Sequence, residues 1–190
     1  MAKAPLIILA GPSGSGKSTI IDRLLKESGL PLRLSVSATT RPPRPNEQNG
    51  VHYYFWTHEQ FEDQRKAGAF LECATVHDQC YGTLRSEVED SLGRGIGVLL
   101  DIDVQGAAQV RAQYPDCLSL FIRTSSPEEY ERRLQKRGEG RESIARRLAT
   151  ARRELERIDE FDDVIINDDL ELAVADVRKW IEQAFHKGSA

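Results

Sequence analysis

The feature that most constrains this chain is a junction near its N-terminus. The apolar run Leu6–Ala10 passes directly into Gly11-Pro12-Ser13-Gly14-Ser15-Gly16-Lys17-Ser18, and a helix-forming stretch, Thr19–Lys26, follows. Glycines at the first and sixth positions let the backbone turn its N–H groups inward, and the helix that follows aims its positive end at the same point. Phosphate is the group such a loop fits. The pattern predicts that Gly11, Pro12, Ser13, Gly14, Ser15, Gly16, Lys17, Ser18 and Thr19 surround the phosphates of a nucleoside triphosphate. Lys17 would reach the β- and γ-phosphates, and Ser18 would hold Mg²⁺. A chance Gly-rich turn before a helix is the competing reading, and it does not account for strand, helix and Lys-Ser pair together.

Further apolar runs recur along the chain at Leu32–Val36, Ile96–Leu100, Leu118–Ile122 and Val164–Ile166, with helical stretches between them. Nearly continuous apolar strands alternating with helices predict an α/β architecture whose parallel sheet is buried on both faces. The final helix is the clearest, with Leu170, Ala173, Val174, Val177, Ile181, Ala184 and Phe185 forming one stripe at the 3.6-residue period. Ser126-Pro127-Glu128-Glu129 reads as a helix start. Gly97–Asp101 reads as a buried strand delivering a carboxylate. Asp101 and Asp103, two apart, project to the same side. A strand-end Asp is commonly structural, but the phosphate loop favours Asp101 as a metal ligand acting through water.

Two stretches interrupt the alternation. Residues 37–83 carry the stiff loop Arg41-Pro42-Pro43-Arg44-Pro45, then Tyr53–Trp56 and Phe70–Val76 as strands around a helix opened by Thr57, which predicts an inserted α+β lobe. Arg41 and Arg44 suit a phosphate monoester, because each guanidinium offers a planar fork of donors. Tyr53 and Tyr81 can add hydroxyls, although a plain Pro/Arg surface loop is an equal reading of this segment alone. Glu72 follows Phe70-Leu71 and can accept from guanine's N1–H and amino group, a donor pair adenine lacks, with the Ser37 and Thr83 hydroxyls beside it. Residues 123–157 hold 11 Lys/Arg against 7 Asp/Glu, which by itself reads as a solvated helix face.

Taken together, GPSGSGKST (11–19), SVSATTRPPRPNEQNGVHYY (35–54), FLE (70–72), YGT (81–83), LLDIDVQGA (99–107), RRLQKRG (132–138), RRL (146–148) and IINDD (165–169) resemble the guanylate kinase family over essentially the whole chain. The resemblance implies a P-loop NTPase three-layer α/β/α core with a parallel sheet (1–36, 84–127 and 158–190). It adds an inserted α+β GMP-binding lobe (37–83) and a helical lid with flanking helices (128–157). It implies phosphoryl transfer from MgATP to GMP, and to dGMP, within purine nucleotide metabolism. By matching position, Ser37, Glu72 and Thr83 belong to the guanine, Gly82 to the GMP-binding residues, and Asp103 lies beside the GMP site. Arg41, Arg44, Tyr53 and Tyr81 belong to the GMP phosphate, Asn167 to the adenine of ATP, and Arg133, Arg137 and Arg147 to the transferring phosphoryl group. The lid segment Arg137–Ser143 is one residue shorter than the family pattern and carries Gly140-Arg141 where acids are usual, and Cys73 stands where a bulkier residue is expected.

Composition bounds the alternatives. The 26 basic and 30 acidic side chains leave a net charge of −4, which argues against a dedicated nucleic-acid binder. No apolar stretch is long enough to span a bilayer, and Leu6–Ala10 is too short for a signal-peptide core. Cys73, Cys80 and Cys117 lack a CxxC spacing and read as reduced thiols of a cytoplasmic protein. The oligomeric state stays open. Two rivals share the scaffold: a sugar-phosphate kinase, which would not need the Glu72 constellation, and a non-catalytic phosphopeptide-binding module, which would not need Lys17, Ser18 and the lid arginines.

Overall fold

A computed structural model describes residues 4–76, 78–136 and 140–187. Five parallel strands form the central sheet: β1 (Leu6–Ala10), β2 (Leu32–Leu34), β7 (Gly97–Asp101), β8 (Leu118–Arg123) and β9 (Asp163–Ile166), in the order β2-β7-β1-β8-β9. Every run read as a core strand is in this sheet. Its two faces separate the side chains of β1 alternately. Leu6, Ile8 and Ala10 pack with Val88, Val104, Ala107 and Val110 from helices α3 (Arg85–Gly93) and α4 (Val104–Gln113). Ile7 and Leu9 pack on the other face with Ile20, Ile21, Leu24, Val177 and Ile181, from α1 (Lys17–Glu27) and α7 (Leu170–Lys187). Strands covered on both sides must be apolar at every position, which is why they do not alternate.

A second, four-stranded sheet in the order β4-β3-β6-β5 is built from β3 (Ser37–Thr39), β4 (Tyr54–Phe55), β5 (Phe70–Val76) and β6 (Gln79–Leu84). Helix α2 (His58–Lys66) opens on a reciprocal cap, in which the Thr57 hydroxyl accepts from Gln60 N at 3.1 Å and the Gln60 side chain accepts from Thr57 N at 2.9 Å. Phe61 stacks on Phe70 at 4.4 Å between ring centres and forms this sheet's own small core with Ala38. The expected strand Tyr53–Trp56 is shorter, only Tyr54–Phe55, while β3 and β6 arise where no strand was read.

Helix α4 fastens the second sheet to the first. The Gln109 side chain accepts from Cys73 N at 3.2 Å and donates to Cys73 O at 3.0 Å, and Gln113 donates to Leu71 O at 2.7 Å. Between β8 and β9 the chain forms α5 (Pro127–Lys136) and α6 (Arg141–Leu155), the Arg-rich pair. No helix among the described residues is long and apolar enough to cross a membrane. Leu9 is fully buried, so Leu9→Ala should cost about 2–5 kcal/mol of unfolding free energy in urea titrations. Leu172→Ala, at a residue 67% exposed on α7, should stay within about 0.5 kcal/mol.

Candidate active site

The phosphate loop lies at the carboxyl end of β1, the central strand, and delivers the chain into α1 at Lys17. Gly16 enters the helix at φ 92°, and a Cβ there would run into Asn167 Nδ2, so only glycine serves. Lys17 donates to the Gly11 carbonyl in a short contact, and its ammonium lies 3.9 Å from Asp101 Oδ1. Ser18 and Thr19 are exposed on the first helical turn, and the Ser15 hydroxyl is buried with no partner among the described residues.

Asn167, Arg133 and Arg147 reach the loop from the later part of the chain. Asn167 is 3% exposed and its Nδ2 donates to Ser15 O at 2.7 Å, so its amide supports the loop in this arrangement. Arg133 is held by Glu129 at 2.8 Å, donates to Asn167 O at 2.7 Å and approaches Gly14 O and Ser15 O at 3.5 and 3.4 Å. Arg147 donates to the Ser13 hydroxyl. Arg137 lies outside the described residues.

On the other side of the cleft, strand register does the assembling. Ser37 pairs with Thr83, and Thr83 pairs with Glu72, which sets three residues distant in sequence side by side across β3, β6 and β5. The register shifts between Phe70 and Glu72, a local irregularity that accompanies Leu71 turning into the main core. Glu72 is 6% exposed, and its Oε1 accepts from Thr83 N at 3.0 Å and Thr83 Oγ1 at 2.7 Å. Burial pushes its carboxyl up to about 7 against the pull of Thr83, with the Asp103 charge adding to the rise. Asp103 itself caps α4, accepting from Gln105 N and Gly106 N at 2.9 and 2.8 Å. Gly82 packs under the Phe70 ring, where a Cβ would stand 2.7 Å from ring carbon.

Arg41 lies 5.6 Å from the Tyr53 ring centre and 5.8 Å from that of Phe55. Tyr53 and Tyr81 meet edge to face at 6.1 Å. Arg44 is exposed on the same loop. Burial raises the Tyr53 hydroxyl above its usual range, with the charge of Asp101 adding. A separate cavity of about 930 Å³, lined in part by Tyr114, Cys117 and Trp180, opens at the amino ends of β1 and β8, opposite the phosphate loop, and contains none of these groups.

Asp101 leaves 35% of its side chain open at the floor of the cleft. The surrounding protein raises its carboxyl, with Lys17 opposing. The Ser18 hydroxyl and the Asp101 carboxylate form a hard oxygen set, and this fits Mg²⁺, which keeps waters and takes its other ligands from substrate phosphates. Among the described residues no group of three or more His, Cys, Asp or Glu forms an all-protein cage.

Three participants escape the motif reading. Gly106, inside the LLDIDVQGA match, has no room for a side chain, since a Cβ would stand 2.6 Å from Glu72 Oε2. Glu154 comes two helical turns after Arg147, on the same face of α6. Burial raises its carboxyl while the Lys17 charge opposes, and its Oε2 has no hydrogen-bond partner among the described residues. Glu47, in the loop after Arg44, grips Arg41.

A sequence model of the family described as guanylate kinase matches residues 3–184. The guanylate kinase of Photobacterium profundum is 48% identical over 183 residues, covering 95% of this chain and 88% of its own. That of Fusobacterium nucleatum subsp. nucleatum is 46% identical over 183 residues, covering 96% of this chain and 98% of its own. The crystal structure of guanylate kinase from Anaplasma phagocytophilum superposes with a TM-score of 0.79 at 30% identity, over 96% of this chain and 87% of that one. With a phosphate loop on one side of the cleft and the Ser37–Thr83–Glu72 row on the other, the chain belongs to the guanylate kinase family.

Proposed function

We propose that the protein transfers the γ-phosphoryl group of ATP to the phosphate of GMP, releasing ADP and GDP. The observation that carries the choice of acceptor is the buried Glu72 carboxylate, gripped on one oxygen by Thr83. Each carboxylate oxygen accepts at two positions, so Glu72 keeps capacity for guanine's N1–H and amino group. Adenine offers an acceptor at N1 and would leave a buried charge unpaired. Ser37 and Thr83 flank the base edge, Gly82 lets the strands close beneath it, and Asp103 borders it.

The nucleophile is the GMP phosphate, held by Arg41, Arg44, Tyr53 and Tyr81. Lys17 leaves the Gly11 carbonyl for the β- and γ-phosphates, while Arg133, Arg137 and Arg147 face charge on the transferring group. Ser18, and Asp101 through water, would hold the Mg²⁺ that neutralises phosphate charge when bound. Positioning and electrostatics supply most of the acceleration in such transfers, so no side-chain nucleophile is needed. Asn167 shapes the loop near the ATP base. None of these contacts uses a ribose 2′-hydroxyl, so dGMP serves as a second acceptor. The free thiols Cys73, Cys80 and Cys117 suit a reducing compartment such as the cytoplasm.

A coupled assay of ADP release with MgATP should give turnover with GMP and dGMP and little with AMP, UMP or CMP; comparable rates with AMP would overturn the reading. Lys17→Ala should lower kcat by about 10²–10³-fold with GMP affinity near wild type, as measured by steady-state kinetics and calorimetry. Because Glu72 must be ionised to accept from guanine and titrates near 7, kcat/KM for GMP should fall about tenfold from pH 8 to pH 6. Glu72→Gln should remove that limb and reduce the preference for GMP over AMP by about 10²-fold or more. The sign for stability is opposite. A carboxyl raised in the folded state favours folding below its unfolded value and loses that contribution as pH rises through about 7. Glu72→Gln should therefore raise Tm relative to the parent more at pH 8 than at pH 5, as read by thermal scans.

A further inference from the structure

Arg41 reaches the acceptor phosphate only if its guanidinium faces the right way, and the side chain that sets this is Glu47. Glu47 Oε2 accepts from Arg41 Nη1 at 2.9 Å and Oε1 from Nη2 at 2.9 Å, a two-point match of carboxylate to fork. Oε2 also accepts from Arg44 N at 2.8 Å, while Glu47 N donates back to Arg44 O at 3.0 Å, so the carboxylate is bound into the loop that carries both arginines. Both partners are recessed, with 16% and 15% of their side chains exposed. The hydrogen bond from Arg41 holds the Glu47 carboxyl down at about 2, which keeps it ionised at any working pH.

The donors can be counted. A guanidinium carries five N–H groups. Of those on Arg41, Nη1 gives one to Glu47 and one to Pro42 O at 2.8 Å, and Nη2 gives one to Glu47. The remaining two, on Nε and Nη2, share the other edge of the plane. The rings of Tyr53 and Phe55 lie close to the guanidinium carbon. Glu47 thus occupies the end of the fork and leaves the side edge, two parallel donors, for oxygens of a phosphate monoester.

We propose that Glu47 is a positioning residue for the acceptor phosphate, presenting the Nε–Nη2 edge of Arg41 and shaping the Arg41–Glu47 loop, and that it stays in place when the phosphate binds. Its triple anchorage distinguishes this from a placeholder that the phosphate would displace. The inference rests on the reading of Arg41 as a phosphate ligand.

The test uses the full chain, with calorimetric titration of GMP and of guanosine, which lacks the phosphate, and steady-state kinetics in GMP. Glu47→Gln and Glu47→Asp, which cannot keep the charged two-point match, should weaken GMP binding and raise its KM by about tenfold. Guanosine affinity should be unchanged and kcat should change by less than about twofold. In an Arg41→Ala background, Glu47→Gln should add less than about twofold, because both act on one contact. Unchanged or tighter GMP binding in Glu47→Gln overturns the proposal, as does a full additive loss in the Arg41→Ala background. A loss that extends to guanosine shows a collapsed lobe and overturns it too. If Arg41→Ala alone leaves GMP affinity intact, the phosphate clamp itself is misplaced, an outcome visible before Glu47 is changed.

Discussion

Turning N–H groups inward to meet phosphate forces the same loop's carbonyls outward, and a buried carbonyl needs a donor. Much of the molecule is arranged around that obligation. Lys17 donates to Gly11 O, Ser15 N to Pro12 O, Asn167 to Ser15 O, and Arg133 approaches Gly14 O and Ser15 O. Apart from Ser15 N, which belongs to the loop itself, these donors come from α1, the loop after β9 and α5. The loop's shape is therefore a tertiary property, maintained by segments more than a hundred residues downstream. Arg133 links it to α5 directly, through Asn167 O and through the Glu129 pair on its own helix.

The acceptor side works on a different principle. Glu72 is buried against the preference of its carboxylate for water, as the proposed reading of guanine requires, and Thr83 offsets only part of that cost. The raised carboxyl of Glu72 and the crowded approach of Gly106 both cost stability, which the proposed selectivity would explain.

The core was legible because its physics is repetitive. Five apolar runs became five strands, and the stripe on the last helix became the buried face of α7, with Ala173, Val174, Val177 and Ile181 inward. The lobe was less so. β3 is three residues long, and β6 mixes Gln79, Cys80 and Gly82 with no alternating pattern, because its partners on both sides supply the burial. Among site residues, the glycines and Lys17 of the loop announced themselves by spacing, whereas the Ser37–Thr83–Glu72 row depends on antiparallel register that no local pattern encodes. Glu154 left one usable sign, its seven-residue spacing from Arg147 on α6. Glu47 lies inside the matching segment 35–54, but its pairing with Arg41 was hidden because it depends on how a Pro-rich loop doubles back.

Helix α4 meets β5 at three positions along one face: Gly106 beneath Glu72, Gln109 on both backbone groups of Cys73, and Gln113 on Leu71 O. β5 is the last strand of its sheet. Strands in that position ordinarily expose a row of unpaired groups that can recruit another chain into cross-pairing. Here glutamine amides occupy part of the row in place of a neighbouring strand. The face proposed to read the base is thereby also the face that denies a foothold to aggregation, so substitutions that loosen α4 would be felt in shelf life and yield as well as in the proposed selectivity.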